Sequence, residues 1–330
     1  MVIGWCFFFN GIDVHADPGS PVQVQLQVPK INKTPVNSSI INVDLKPKQS
    51  VQFVLHLQNT TPQAVQLKVY GGVAQTNSAG NIDISTSQHL RMDDSWRYSL
   101  ADLGFQTQIL TLAPQQEQLV PVTLTAPSSY RGSISGSAIV ETLSQKQYHH
   151  QINNFQMSFG VLVNVGKYTK LKPHVRLGKV RLQSLGGRPQ IVGNVHNQSA
   201  LYYGNNAVKY QMSLQGLSFT NRNVHQHFNL SQGALAANSI APLAFDLGND
   251  PIKAGQYRYR VLVDLGDKVF HLQKTFSVTR AQAQRLNRQN PDLKHDYRPL
   301  IVVIIILVVL LFGLILWLVF RFALNKGRRS

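Results

Sequence analysis

The sequence predicts an all-β protein: two tandem immunoglobulin-like β-sandwiches followed by a single C-terminal transmembrane α-helix. Two patterns carry that reading. The first is strict alternation, clearest where Val22, Val24, Leu26 and Val28 are separated by Gln23, Gln25 and Gln27. Period two with one apolar face marks a strand packed on one side. The second is Leu300 to Phe320, LIVVIIILVVLLFGLILWLVF, 21 residues with no charge and no amide. At about 1.5 Å per residue, a helix of that length spans the roughly 30 Å hydrocarbon core of a bilayer.

In chain order, residues 1–16 read as a signal peptide, possibly truncated. MVIGWCFFF is apolar, and Val14 and Ala16 stand at −3 and −1 of a cleavage point, but no Lys or Arg precedes the apolar run. Residues 17–166 form the first expected sandwich. Alternation recurs at Val51–Leu57, Val65–Val69, Val120–Leu124 and Phe155–Val165, with turn signals between at Lys46-Pro47-Lys48, Asn59 to Pro62, Asn77 to Asn81 and Ala126-Pro127-Ser128. Short strands at this spacing, with no long helical period, argue for paired sheets.

Within that half, Tyr130 to Val140 puts Gly132 and Gly136 on one parity with Ile134. Glycines there flatten one face of a strand and suit close approach of another backbone or a ligand; the plainer alternative is a bend or bulge at a sandwich edge. Asp93-Asp94-Ser95-Trp96 is a second candidate surface, although Trp96 reads better as a core plug than as a carbohydrate platform.

Register and charge change together near Gly166, the expected domain boundary. Lys170, Lys172, His174 and Arg176 alternate with apolar residues, and after Gly178 the parity flips to Lys179 and Arg181. A glycine bulge would restore one basic outer face after the slip, giving a candidate polyanion-binding strand. The alternative is a solvated strand whose charges deter edge pairing. Further strands at Ile191–Val195, Val208–Leu214, Tyr257–Val263 and Phe270–Val278 complete a second sandwich, residues 167–286. Thr279 is placed to cap a short helix from Arg280 to Leu286. Residues 287–299 then read as a tether, 300–320 as the membrane helix and 321–330, with Arg321, Lys326, Arg328 and Arg329, as a cytoplasmic tail.

Charge is distributed unevenly: residues 17–166 carry 9 basic and 8 acidic side chains, residues 167–298 carry 19 and 6. A field of that sign favours polyanions or an anionic surface and says nothing about fold. The single cysteine, Cys6, lies in the leader, so the ectodomain has no disulfide, as is ordinary on a Gram-positive surface. Five Asn-x-Ser/Thr sequons, at Asn32, Asn37, Asn59, Asn197 and Asn229, are what a chain rich in these residues produces by chance.

Enzyme chemistry finds no foothold. Glu117 and Glu141 are the only glutamates, Asp93 and Asp94 diverge if extended, and His149 and His150 diverge likewise. His225 and His227 share a face, but no third metal ligand follows at a convincing spacing. There is no nucleophile elbow, phosphate-cradling loop or zinc-protease helix. No catalytic residue, cofactor or metal is expected, and no nucleic-acid partner.

The order of features resembles one family. Phe53 to Asn59, Val73 to Asn77 with the Gly80-Asn81-Ile82 turn, Leu110 to Pro114, and Ala126-Pro127 ahead of Tyr130-Arg131-Gly132 are similar to the first domain of the Gram-positive WxL-interacting proteins. Val195-His196-Asn197, Ile240-Ala241-Pro242 to Phe245, Ala254 to Tyr257, Lys274 to Val278 and the Ala283 to Asn287 helix resemble that family's second domain. The resemblance implies a peptidoglycan-binding domain, a host-binding domain and association with WxL surface proteins. It leads us to expect a single-pass, non-enzymatic adaptor with its ectodomain at the cell wall. Its partners would be WxL-domain proteins, peptidoglycan or anionic wall polymers, and host extracellular matrix. The competing expectation is an assembly partner that works by β-strand addition, with no glycan or host ligand of its own.

Overall fold

The computed structural model describes residues 20–34, 39–85, 92–143, 154–294 and 298–327. The expected leader, residues 1–16, and the His149-His150 pair lie outside the described residues.

Alternation becomes strand at each run read except Lys170 to His174, which precedes the first strand of the second half. The first half contains β1 (Val22–Gln27), β2 (Ile40–Leu45), β3 (Ser50–Asn59), β4 (Val65–Val73), β5 (Gln75–Thr76), β6 (Ile82–Asp83), β7 (Gln108–Leu112), β8 (Glu117–Thr125), β9 (Gly132–Thr142) and β10 (Gln156–Val165). A three-stranded sheet, β1-β3-β8, faces a five-stranded one, β2-β10-β9-β4-β7. All pairings are antiparallel except β2 with β10. The inward rows, Val24, Phe53, Leu55 and Leu124 from one sheet and Ile41, Leu67, Val69 and Val163 from the other, are almost wholly buried in one core. Burial of that apolar area at roughly 25 cal/mol per Å² is the main force holding the sheets together.

The second half repeats the plan with β11 (Val175–Leu185), β12 (Arg188–Asn197), β13 (Tyr203–Gly216), β14 (His225–Leu235), β15 (Ile240–Asp246), β16 (Gly255–Asp264) and β17 (Val269–Val278). Here β11-β12-β15 faces β14-β13-β16-β17 around Ile191, Val195, Tyr210, Phe245, Tyr257 and Tyr259. These immunoglobulin-like sandwiches share one local device. At the end of β3, buried Asn59 donates to the carbonyls of Gln63, Leu112 and Ala113, while its Oδ1 accepts from the Thr61 backbone and hydroxyl. At the end of β12, buried Asn197 donates to Leu201 and Ala236 and accepts from the backbone and hydroxyl of Ser199. Two of the sequons are therefore turn staples, with Thr or Ser two residues on as the partner.

α1 (Arg280–Gln289) starts at Thr279, whose side chain and that of Gln282 form a capping box. It runs three residues beyond the expected end and buries Ala283 and Leu286 against the second sandwich. The expected tether is thus partly docked: Asn287 exchanges hydrogen bonds with the backbone of Ile252, and the Lys294 N–H still donates to Asn249.

α2 (Arg298–Gly327) carries the apolar stretch. Its described side chains, Ile301 to Trp317, stay about half exposed. Among the described residues no helix is long and apolar enough to cross a membrane.

Candidate functional site

The sandwiches are joined by more than their linker. Between β4 and β7 the chain leaves the first sandwich, and the β5–β6 hairpin with the Met92–Ser95 segment lies on the second. Backbone hydrogen bonds cross from Ala234 to Gly80, Ala244 to Ser78, Asp93 to Asn238 and Ser133 to Ala200. Met92 bridges to Ser239, and the Thr76 hydroxyl accepts from Ala236. Ala234, Ala236 and Ala237, small side chains under this excursion, are all buried.

At its centre is Asp93, whose side chain is 0% exposed. His196 Nδ1 lies 2.7 Å from Oδ2, the Ser95 N–H donates to Oδ1 at 2.9 Å, and Gln198 and Arg176 approach at 3.4 Å each. Burial pushes the Asp93 carboxyl up, but hydrogen bonds from His196, Ser95 and Gln198 outweigh it and hold the group below its ordinary range. Three of its partners belong to the second sandwich. Tyr130, which donates to Asn238, is pushed up to about 12 by burial and by Tyr98. Trp96 is only half buried beside this cluster, so it is not the core plug expected of it; Tyr98 packs against the first core instead.

The candidate polyanion strand is divided by the structure. Lys170 ends a short 3-10 turn, Lys172 and His174 lie in the extended segment before β11, and Arg176 turns toward Asp93. The register of β11 on β12 shifts between Leu177 and Val180, a bulge at Gly178. A Cβ at Gly178 would strike the His196 imidazole, and Lys274 Nζ holds the bulged carbonyl at 2.8 Å. Beyond the bulge, Lys179 and Arg181 meet Arg285 of α1 at a small pocket between β11 and β17.

The close-approach strand is occupied by the chain itself. Gly132, at φ 138°, abuts Ala200 of the second sandwich. Gly136 lies against the Gly72 carbonyl and Leu100, and Ile134 is buried in the core.

A surface missed by the sequence reading is the outer face of β14-β13-β16-β17. The register aligns His227, Ser213, Arg260 and Gln273 in one row across the sheet, and Asn229, Gln211, Leu262 and His271 in the next. They line a groove of about 550 Å³. His225 and His227 do share this face, but His271 stands three strands away, and among the described residues no cluster of three or more His, Cys, Asp or Glu could hold a metal. The outward parity of each strand was visible in sequence; which strands lie side by side was not.

Residues 22–142 match the family model for the WxL Interacting Protein, peptidoglycan binding domain, and residues 147–288 that for the WxL Interacting Protein, host binding domain. The second match begins ahead of β10, a strand that pairs within the first sandwich. No curated protein matches the chain. Among solved structures, the chain is similar to the E. coli chaperone DraB (13% identity, 73% of this chain and 94% of that one, TM-score 0.26). It is also similar to the CsuC-CsuE chaperone-tip adhesion subunit complex of Acinetobacter baumannii (11% identity, 72% and 94%, TM-score 0.28). A third is a PapD-like domain of human CEP192 (14% identity, 50% and 96%, TM-score 0.26). Since the two matching models describe one family and together take in every strand, the chain belongs to the WxL-interacting proteins, with a peptidoglycan-binding and a host-binding domain.

Proposed function

We propose that the chain is a membrane-anchored, non-enzymatic adaptor at a Gram-positive cell surface. Its first sandwich holds wall glycan or a WxL protein; its basic second sandwich holds a host matrix component or an anionic polymer. The observation that carries this reading is the match of both domain models along one chain. The uneven charge supports the second half of it, and the uncharged run from Leu300 to Phe320 supports the anchor, with the ectodomain outside and residues 321–330 inside. In this reading residues 1–16 are a leader, the domain boundary falls near Gly166, and residues 287–299 lead to the anchor. Lys170, Lys172, His174, Lys179 and Arg181 form a basic ribbon for polyanions, with Arg176 shared with Asp93.

The test is made in intact cells. Photo-crosslinking from the first sandwich should recover peptidoglycan fragments or a WxL protein that persists through a high-salt wash, and deletion of residues 298–330 should release the ectodomain to the medium. Recovery of neither component, or retention of the truncated chain in membranes, would refute it.

One observation favours a second reading, assembly by strand addition. Among the described residues β7 and β8 are sheet edges, and they expose Ile109 (61%) and Leu119 (62%). A strand from a WxL protein added at either edge would cover the exposed side chain there. Pro121 of β8 cannot donate to such a strand, which makes β7 the better edge.

A further inference from the structure

We propose that the groove on the outer face of β14-β13-β16-β17 is a binding site for an acidic polysaccharide, one carrying carboxylate or sulfate groups. The inference rests on the host-binding reading and gives it a site and a ligand class. Two arginines set the charge. Arg258 and Arg260 alternate on β16, about 7 Å apart along the strand, and both point outward. Among the described residues neither has a carboxylate partner within ion-pair distance, and Arg260 is exposed at the middle of the groove. An exposed guanidinium with no internal partner retains its forked donors for a carboxylate or sulfate.

The neighbours decide the class. Gln211 and Gln273 flank β16 on either side, roughly 12 Å apart across two strand spacings and one row, and Asn229 and His227 continue the surface onto β14. Amides and imidazoles both donate and accept, which suits sugar hydroxyls. Protein interfaces are anchored by aromatic or large aliphatic side chains in pockets; in the two aligned rows of this face the one large aliphatic side chain is Leu262, while Met212 and Val261 beneath are buried in the core. Single-stranded nucleic acids need successive aromatic platforms for their bases, and the groove's only rings, the His227 and His271 imidazoles, stand three strands apart. No carboxylate lines it either; Asp264 stands on the same face one row beyond, beside Lys209. This site is distinct from the basic ribbon: Lys179 and Arg181 stand on β11, in the opposite sheet.

The experiment uses the full chain in detergent with three probes: a heparin oligosaccharide (sulfate and carboxylate), a hyaluronan oligosaccharide (carboxylate alone) and dextran (neutral). The wild-type chain should bind at least one acidic probe and not dextran. R258Q/R260Q should weaken that binding about tenfold or more at an unchanged melting temperature, since each charge-assisted contact is worth about a factor of ten. Q211A/Q273A should also weaken it while leaving its salt dependence unaltered, because no charge is removed. A K46E variant, in an exposed turn of the first sandwich, should keep it. Acidic-probe binding unaffected by R258Q/R260Q would overturn the groove, and equal binding to dextran would overturn the ligand class. A wild-type chain that binds host matrix but no acidic glycan would overturn this inference alone; one that binds neither would overturn the host-binding reading as well.

Discussion

Replacing Asp93 by alanine tests whether the two sandwiches behave as one unit. The carboxylate is fully buried and receives hydrogen bonds from His196, Ser95, Gln198 and Arg176. Arg176 is 42% exposed and regains water when its partner goes, so it adds little. His196 is only 12% exposed and, with Gln198 and the Ser95 amide, would be left beside a cavity. Removing one partner of a buried, hydrogen-bonded charge costs about 3–5 kcal/mol. At about 2–4 °C per kcal/mol for chains of this size, the melting temperature should fall by about 6 °C or more. The same contacts cross between domains, so calorimetry should show one transition in the wild type and a separated first transition in D93A. The pH dependence adds a sign. The folded Asp93 pKa lies below its ordinary 3.8, so its stabilisation is fully present above that value and is lost as pH falls below it. The difference between wild type and D93N should therefore be flat above about pH 4 and shrink below it. A D93A ectodomain that melts with the wild type would refute the argument, as would a D93N difference that persisted undiminished to pH 2.

Three further outcomes follow from named contacts. G132A places a side chain at φ 138° against the Ala200 carbonyl, 2.8 Å from the added carbon, and should cost about 1–3 kcal/mol in urea denaturation. N59A and N197A each strip donors from buried carbonyls at a strand end and should each destabilise the chain by about 2 kcal/mol or more, whereas N229A, on the exposed groove, should be neutral in the same assay. Y210F removes the hydrogen bond from a fully buried hydroxyl to Ala234, 2.8 Å long, and should cost about 1 kcal/mol.

What was legible in the sequence was whatever depends on neighbours along the chain. Alternation located the strands, Gly178 announced its bulge through the flip of parity, and Thr279 announced α1. What was hidden depends on packing across the chain. Asp93 looked like half of a diverging acidic pair; its burial follows from the excursion between β4 and β7 onto the second sandwich, which no local period encodes. The groove was hidden for the same reason. His227 and Arg260 are 33 positions apart, and only the order β14-β13-β16 brings them into one row. The glycines of β9 left a flattened face and a bend both open in the sequence, which could not say that Gly72 and Ala200 of the same chain lie against them.

The clasp and the docked C-terminal segment together bear on how the host-binding domain can be presented. Asn287 is bonded to Ile252, Arg188 reaches Asp292 at 3.3 Å, and Lys294 is still held by Asn249, so only residues 295–297 separate docked chain from α2. Four residues from Lys294 to Arg298 extend at most about 14 Å. If α2 is the anchor, the second sandwich lies against the bilayer and the first, fixed to it through Asp93, lies farther out. α1 packs along the seam between β11 and β17, which puts Lys179, Arg181 and Arg285 on the side of the domain where the chain leaves it. Cations so placed face anionic headgroups, each adding about 1 kcal/mol near the surface. The groove belongs to the other sheet and opens away from β11. With α2 as the anchor, the ribbon would face the membrane and the groove would stay open to a ligand arriving from the wall side. Reversing Lys179, Arg181 and Arg285 should then weaken binding of the anchorless ectodomain to anionic vesicles while leaving acidic-glycan binding intact; loss of both together would mean that the two surfaces are one site.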